Sequence, residues 1–152
     1  MHVFSRCVAF CGKTHTLIGA PGNPGVNLRT FETIFNFAEQ EAVDSGVRTE
    51  VSMSMLEVYN EQLHDLLDTT IKTVDAFNPD AVRTLEIRTS RSGAVYVDGL
   101  TEYGVKNVDE VSTLLSLGGK KRQTGHGSDQ TPADHNARSH LLISVKIQRT
   151  SP

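Results

Sequence analysis

The sequence predicts an α/β domain in which strands alternate with helices. Three observations carry that reading. Val51, Met53 and Met55 alternate with Ser52 and Ser54, the period of a strand. Leu28, Phe31, Ile34, Phe35 and Ala38 recur at helical spacing and form one apolar stripe. Leu141, Ile143, Val145 and Ile147 alternate with Leu142, Ser144, Lys146 and Gln148, a second strand near the end of the chain. At 152 residues the chain fits one domain.

The remaining elements follow in order. Cys7-Val8-Ala9-Phe10 is a short apolar run, expected as a buried central strand. Lys13 to Leu17 opens a helix, and Ala20-Pro21-Gly22-Asn23-Pro24-Gly25 reads as a loop because its Pro and Gly break regular structure. The central strands are expected at Cys7–Phe10, Thr49–Glu57 and Leu141–Gln148. Glu61 to Leu67 is expected as a short helix with Leu63, Leu66 and Leu67 on one side. Thr69 to Thr84 has little periodicity and reads as a long surface loop. Leu85 to Arg88 and Ala94 to Val97 flank Ser90-Arg91-Ser92-Gly93, a β-hairpin. Asn107, with Glu110 three residues on, starts a helix in the manner of a capping box. Val108, Val111, Leu114 and Leu115 continue it, and Gly118-Gly119 is expected to end it. Lys120 to Ala137 is polar and irregular.

Composition excludes several classes. The chain is 38% hydrophobic and 22% charged, with no tryptophan, which fits a globular domain slightly poor in core residues. No apolar run approaches the roughly 20 residues that cross a bilayer, and Met1 to Arg6 is too short and mixed for a signal peptide. Cys7 and Cys11 are therefore expected as free intracellular thiols. The net charge of −3 conceals an asymmetry. Residues 30–67 hold eight acidic side chains against one basic, and residues 118–152 hold six Lys or Arg against two Asp. A locally basic second half is suited to an acidic partner or, more plainly, to a solvated surface. Lys120-Lys121-Arg122 reads as a solvated helix end, favourable at the negative pole of the helix dipole. His126, His135 and His140 have no closed zinc spacing, and no cysteine lies near them. No Ser-His-Asp or paired-carboxylate arrangement stands out.

Gly12-Lys13-Thr14-His15-Thr16 is the end of a phosphate-binding loop. Such loops work because backbone N–H groups and a helix N-terminus converge on phosphate. The full pattern needs a Gly, four residues, then Gly-Lys-Ser/Thr. Alone the triplet is weak. Further blocks accompany it: Leu28-Arg29-Thr30-Phe31-Glu32-Thr33-Ile34-Phe35, then Met55-Leu56-Glu57-Val58-Tyr59-Asn60-Glu61 with Asp65-Leu66-Leu67. Val95 to Thr101 follows, then Leu114-Leu115, Gly119, Arg122 and Thr124, and finally Arg138-Ser139-His140. In that order, over nearly the whole chain, these blocks resemble the kinesin motor domain. Val26-Asn27-Leu28-Arg29 resembles the C-terminal-motor, minus-end-directed subgroup.

The resemblance implies a three-layer P-loop NTPase domain with a central mixed β-sheet, here incomplete over residues 1–152. It implies ATP and Mg²⁺ as cofactors and a microtubule as partner. It implies a cytoplasmic, cytoskeletal setting, no nucleic acid and no membrane, with dimerisation through coiled coil outside this region. Gly12, Lys13, Thr14 and His15 are the implied nucleotide contacts, with Thr14 also on the metal. Arg138 and Ser139 are the implied catalytic residues, as the end of the first nucleotide-sensing switch. Ser139 would help place the attacking water and Arg138 would pair with an acid of the second switch.

This sequence departs from the family pattern in three places. Cys7 stands where the loop's first Gly belongs, and only Cys11 separates the strand-like run from Gly12. His2-Val3-Phe4-Ser5 resembles an earlier strand joined almost directly to this one. An internal deletion near residues 6–12 is the expectation, with binding of ATP correspondingly weak. Asn136 and Ala137 replace two serines, of which the second serves Mg²⁺, and Ala133 falls where the family has Asn. The second switch would come after Pro152. The expectation is a motor-domain protein degenerate in ATP turnover. The alternatives are a non-catalytic microtubule- or partner-binding module and a fragment without independent function.

Overall fold

The structure is a computed structural model that describes residues 12–20, 22–69, 85–124 and 139–151. The expected strand Cys7–Phe10, the loop 70–84 and residues 125–138 lie outside the described residues. Those described fall into two compact units. One draws on Met1–Glu50, Val105–Ser112 and Gln148–Pro152, the other on Val51–Gly104 and Thr113–Ile147.

The first unit opens with α1 (Lys13–Ile18), then β1 (Gly19–Ala20) and β2 (Asn23–Pro24), then α2 (Val26–Ser45). The segment expected as a loop contains a two-residue antiparallel pair, Gly19 opposite Pro24 and Ala20 opposite Asn23. Glycine permits it: a Cβ on Gly19 would lie 2.4 Å from the carbonyl oxygen of Asn23, and one on Gly25 would lie 2.5 Å from that of Leu17. The apolar stripe forms α2 as expected. Phe31 is buried, and its ring stacks on Phe35 with centroids 6.2 Å apart. Gly46, at φ 67°, ends the helix by donating its N–H to Ala42 O, a left-handed cap.

The second unit is organised by β3 (Arg48–Tyr59), whose buried stretch begins at Val51. The alternation of Met with Ser predicts one exposed face, but Ser54 and Glu57 are buried as well, as in a strand covered on both sides. β3 pairs with β4 (Gln62–Asp65), β7 (Tyr103–Val105) and β8 (Ser139–Thr150) in one four-stranded sheet among the described residues. The helix expected over Glu61 to Leu67 is therefore a strand. Tyr59 faces Gln62 across a two-residue turn, and Asn60 and Glu61 both take positive φ, 49° and 64°. A tight left-handed turn reverses the chain there, and antiparallel pairing overrides helical spacing. Leu66 and Leu67 still enter the core, with Met55. β5 (Glu86–Thr89) and β6 (Val95–Asp98) form the expected hairpin as a separate two-stranded sheet.

The helix begun at Asn107 is α3 (Val108–Thr124), and it runs straight through Gly118-Gly119. Its start departs slightly from a capping box. Asn107 Oδ1 accepts the Glu110 N–H at 2.9 Å, while Glu110 accepts from Lys106 N rather than Asn107 N. Gly118 serves packing. A Cβ there would lie 2.3 Å from Met55 Sδ and 3.4 Å from Leu66 Cβ, so the glycine lets the helix sit directly on the core.

Candidate functional site

In the first unit the site is a backbone feature. Gly12 precedes α1 in the left-handed region, φ 81° and ψ 16°, and the first ladder bond runs from Thr16 N to Gly12 O at 2.9 Å. The amides of Lys13, Thr14 and His15 therefore lie ahead of the ladder, as at any helix start. The side chains of Lys13 and Thr14 lie outside the described atoms, and His15 is exposed. Beyond α1, Arg29 pins the following turn, donating from Nε to Pro24 O at 2.8 Å and from Nη2 to Asn23 Oδ1 at 2.9 Å.

The second unit contains a buried polar cluster that spacing alone did not disclose. Glu57 on β3, Arg122 on α3 and Ser139 at the start of β8 converge. Arg122 Nε donates to Glu57 Oε1 at 3.0 Å. Ser139 Oγ accepts from Arg122 Nη2 at 2.8 Å and donates to Glu57 Oε1 at 2.5 Å. The Glu57 and Arg122 side chains are 1% and 15% exposed. Arg122 is thus not part of a solvated helix end. Its neighbour Lys121 likewise reaches the Asp68 carbonyl. The expectation failed because a basic run at a helix end usually meets water, and only the path of α3 past Gly118 turns Arg122 inward. Glu57, set between Leu56 and Val58 in β3, was the one available signal, since a buried carboxylate requires a partner.

Asp65 ties the same unit together. Its Oδ1 accepts from Leu67 N at 2.8 Å and Asp68 N at 3.1 Å, and its Oδ2 accepts from Thr101 N at 2.7 Å. At the exposed side, Glu102 accepts from Ser52 and from Lys146. The Ser52 hydroxyl does most to hold its carboxyl below the ordinary range; burial opposes it next in size, and Lys146 lowers it further by lesser amounts.

Of the catalytic residues implied by resemblance, Ser139 lies within the described residues and Arg138 outside them. The backbone at Gly12 to His15 is compatible with a phosphate group, as a helix start behind a left-handed glycine. On the Mg²⁺ side the sequence has Ala137, with no side-chain oxygen, where the resemblance implies a serine; that residue lies outside the described ones. His126 and His135 lie outside the described residues, and among those described no cluster of His, Cys, Asp or Glu could hold a metal. No described helix is long and apolar enough to cross a membrane.

A family profile described as kinesin motor domain matches residues 2–152. The kinesin-like protein KIN-14R of Arabidopsis thaliana is 36% identical over 137 residues, covering 90% of this chain and 11% of its own length. The kinesin-like protein KIF19 of Mus musculus is 35% identical over 150 residues, covering 98% of this chain and 13% of its own. Among solved structures, a KIF14 dimer in a two-heads-bound state, with AMP-PNP and in complex with a microtubule, aligns with a TM-score of 0.73. It is 27% identical, over 92% of this chain and 36% of that one.

Proposed function

The chain belongs to the kinesin motor-domain family, and on that premise we propose that it is the nucleotide-side part of a microtubule motor domain, degenerate in its own ATP turnover. One observation carries the reading: Gly12-Lys13-Thr14 opens a helix behind a left-handed glycine, while the sequence puts Cys7 and Ala137 where the family needs Gly and Ser. Gly12, Lys13, Thr14 and His15 would hold phosphate through amides and the Lys ammonium, with Thr14 toward Mg²⁺. The bound nucleotide and metal would supply the reacting phosphate and its charge neutralisation. Arg138 and Ser139 would form the responding switch segment. The partner would be tubulin, in a cytoplasmic, cytoskeletal setting.

Phosphoryl transfer of this kind rests on positioning and charge stabilisation. Loss of one preorganised donor costs about a hundred- to a thousand-fold in rate. From an enzyme median of about 10 s⁻¹, one such loss leaves about 0.1 s⁻¹ or less. The expected outcome is steady-state phosphate release at or below that rate with saturating microtubules. Calorimetry should find weak ATP binding that Lys13→Ala abolishes. Turnover of several per second, removed by Lys13→Ala, would overturn the degenerate reading. The second reading is a non-catalytic microtubule- or partner-binding module, favoured by Ala137. Sedimentation with microtubules but no ATP binding supports it.

A further inference from the structure

Glu57 is a buried carboxylate in the buried stretch of β3, and nothing in the phosphate-loop reading uses it. A buried ion pair is not obviously stabilising, since desolvation offsets the attraction and an apolar replacement often does as well. Its geometry here points to a different use. Three elements distant in sequence each contribute one group: Glu57 from β3, Arg122 from α3 and Ser139 from β8. The Ser139 hydroxyl has one proton, which goes to Glu57, and its lone pairs face the Arg122 guanidinium, with Nη2 at 2.8 Å and Nε at 3.2 Å. Arg122 uses Nε on Glu57 and Ser139 alike, a fork that lysine's single ammonium does not reproduce.

We propose that Glu57 and Arg122 are positioning residues that clamp the Ser139 hydroxyl and so hold the Ser139 end of β8, next in sequence to Arg138. This rests on the reading of Arg138-Ser139 as the responding segment. The clamp holds the Ser139 end of that segment in place. Any use of the Ser139 hydroxyl on water requires its release from Glu57. Neither Glu57 nor Arg122 touches the reacting atoms in this scheme.

The test uses the full chain. Proton NMR of the unaltered protein should show a slowly exchanging Ser139 hydroxyl proton with cross-relaxation to Arg122 or Glu57. A hydroxyl exchanging at the solvent rate overturns the proposal, and this readout needs no variant. Amide exchange is then followed at residues 139–143 and, as an internal control, at 86–98. Ser139→Ala should speed exchange at 139–143 by about tenfold or more and leave 86–98 unchanged. Glu57→Gln should do the same, and the double variant should be no faster than either single one. Arg122→Lys should give an intermediate loss. Additive effects, or acceleration spread evenly along the chain, overturn the clamp. Adding ATP and Mg²⁺ to the unaltered chain tests the nucleotide reading separately. No change at any amide sinks that reading, while the clamp still stands or falls on its own measurements.

Discussion

Glycine 118 separates two effects that sequence reading conflates. Adding a Cβ should help a helix, since alanine is favoured over glycine by about 1 kcal/mol in a helix interior. At Gly118 the methyl would meet the Sδ of Met55, a side chain 1% exposed and so without room to yield. Overpacking costs about 1–3 kcal/mol. Gly118→Ala is therefore expected to lower the urea midpoint, and Gly119→Ala, which meets nothing within 4 Å, to raise it. The order of the two midpoints is the test. A second residue-scale expectation concerns acid. The Glu102 carboxyl is held below its ordinary range by Ser52 and Lys146. Its contribution is present above the unfolded carboxyl's pKa and is lost as pH falls through the lower folded value. The group is exposed and screened, so the effect is small. Ser52→Ala should lower the urea midpoint slightly near neutrality and leave it unchanged in acid below the folded pKa, which flattens the acid side of a plot of midpoint against pH.

At the scale of elements, the β3–β4 turn is locally strained. Glu61 at φ 64° carries a Cβ in a region that costs an L-residue about 1–2 kcal/mol. Glycine removes that cost and gives back about 0.5–1 kcal/mol in backbone entropy. Glu61→Gly should raise stability by a net amount of about 0.5–1 kcal/mol, read as a higher melting temperature. The same turn shows where the sequence was legible. The stripe of α2, the strands β3 and β8 and the β5–β6 hairpin were all visible as period, because each repeats one rule along its length. Glu61 to Leu67 was not, since Leu63, Leu66 and Leu67 satisfy a helical spacing while serving a strand and the bend after it. Gly118-Gly119 looked like a stop because glycine both ends helices and lets them approach. The phosphate-loop end was legible as a motif, whereas the Glu57–Arg122–Ser139 cluster depends on pairings that only the folded sheet creates.

For the whole molecule, three of the basic side chains in the last part pair with acids earlier in the chain, two of those acids in the acidic first part. Arg122 pairs with Glu57, Lys146 with Glu102 and Arg149 with Glu41. The basic stretch is thus partly spent within the chain rather than held for an outside partner. Apolar surface is less well matched. Ile87 and Val95 on the hairpin are 64% and 69% exposed, and Leu142, Val145 and Ile147 on β8 are exposed too. Exposed apolar strands invite association. The isolated chain is expected to melt below about 60 °C, in the ordinary range for domains, at a temperature that depends on protein concentration. A sharp, concentration-independent transition above that value would contradict it.

The buried cluster also orders events in time. The β3–β4 hairpin closes over two residues and can form in about 1–10 μs. Glu57 lies on that hairpin, but its partners stand 65 and 82 positions further along the chain. Loop closure must bring them in before they repay its entropy. Glu57 therefore begins as a hydrated charge on an early hairpin and loses its water only when Arg122 and Ser139 arrive. The step that buries it is expected to be a late one, and a chain whose α3 or β8 docks out of register would leave a naked carboxylate inside, at a cost that favours its undocking.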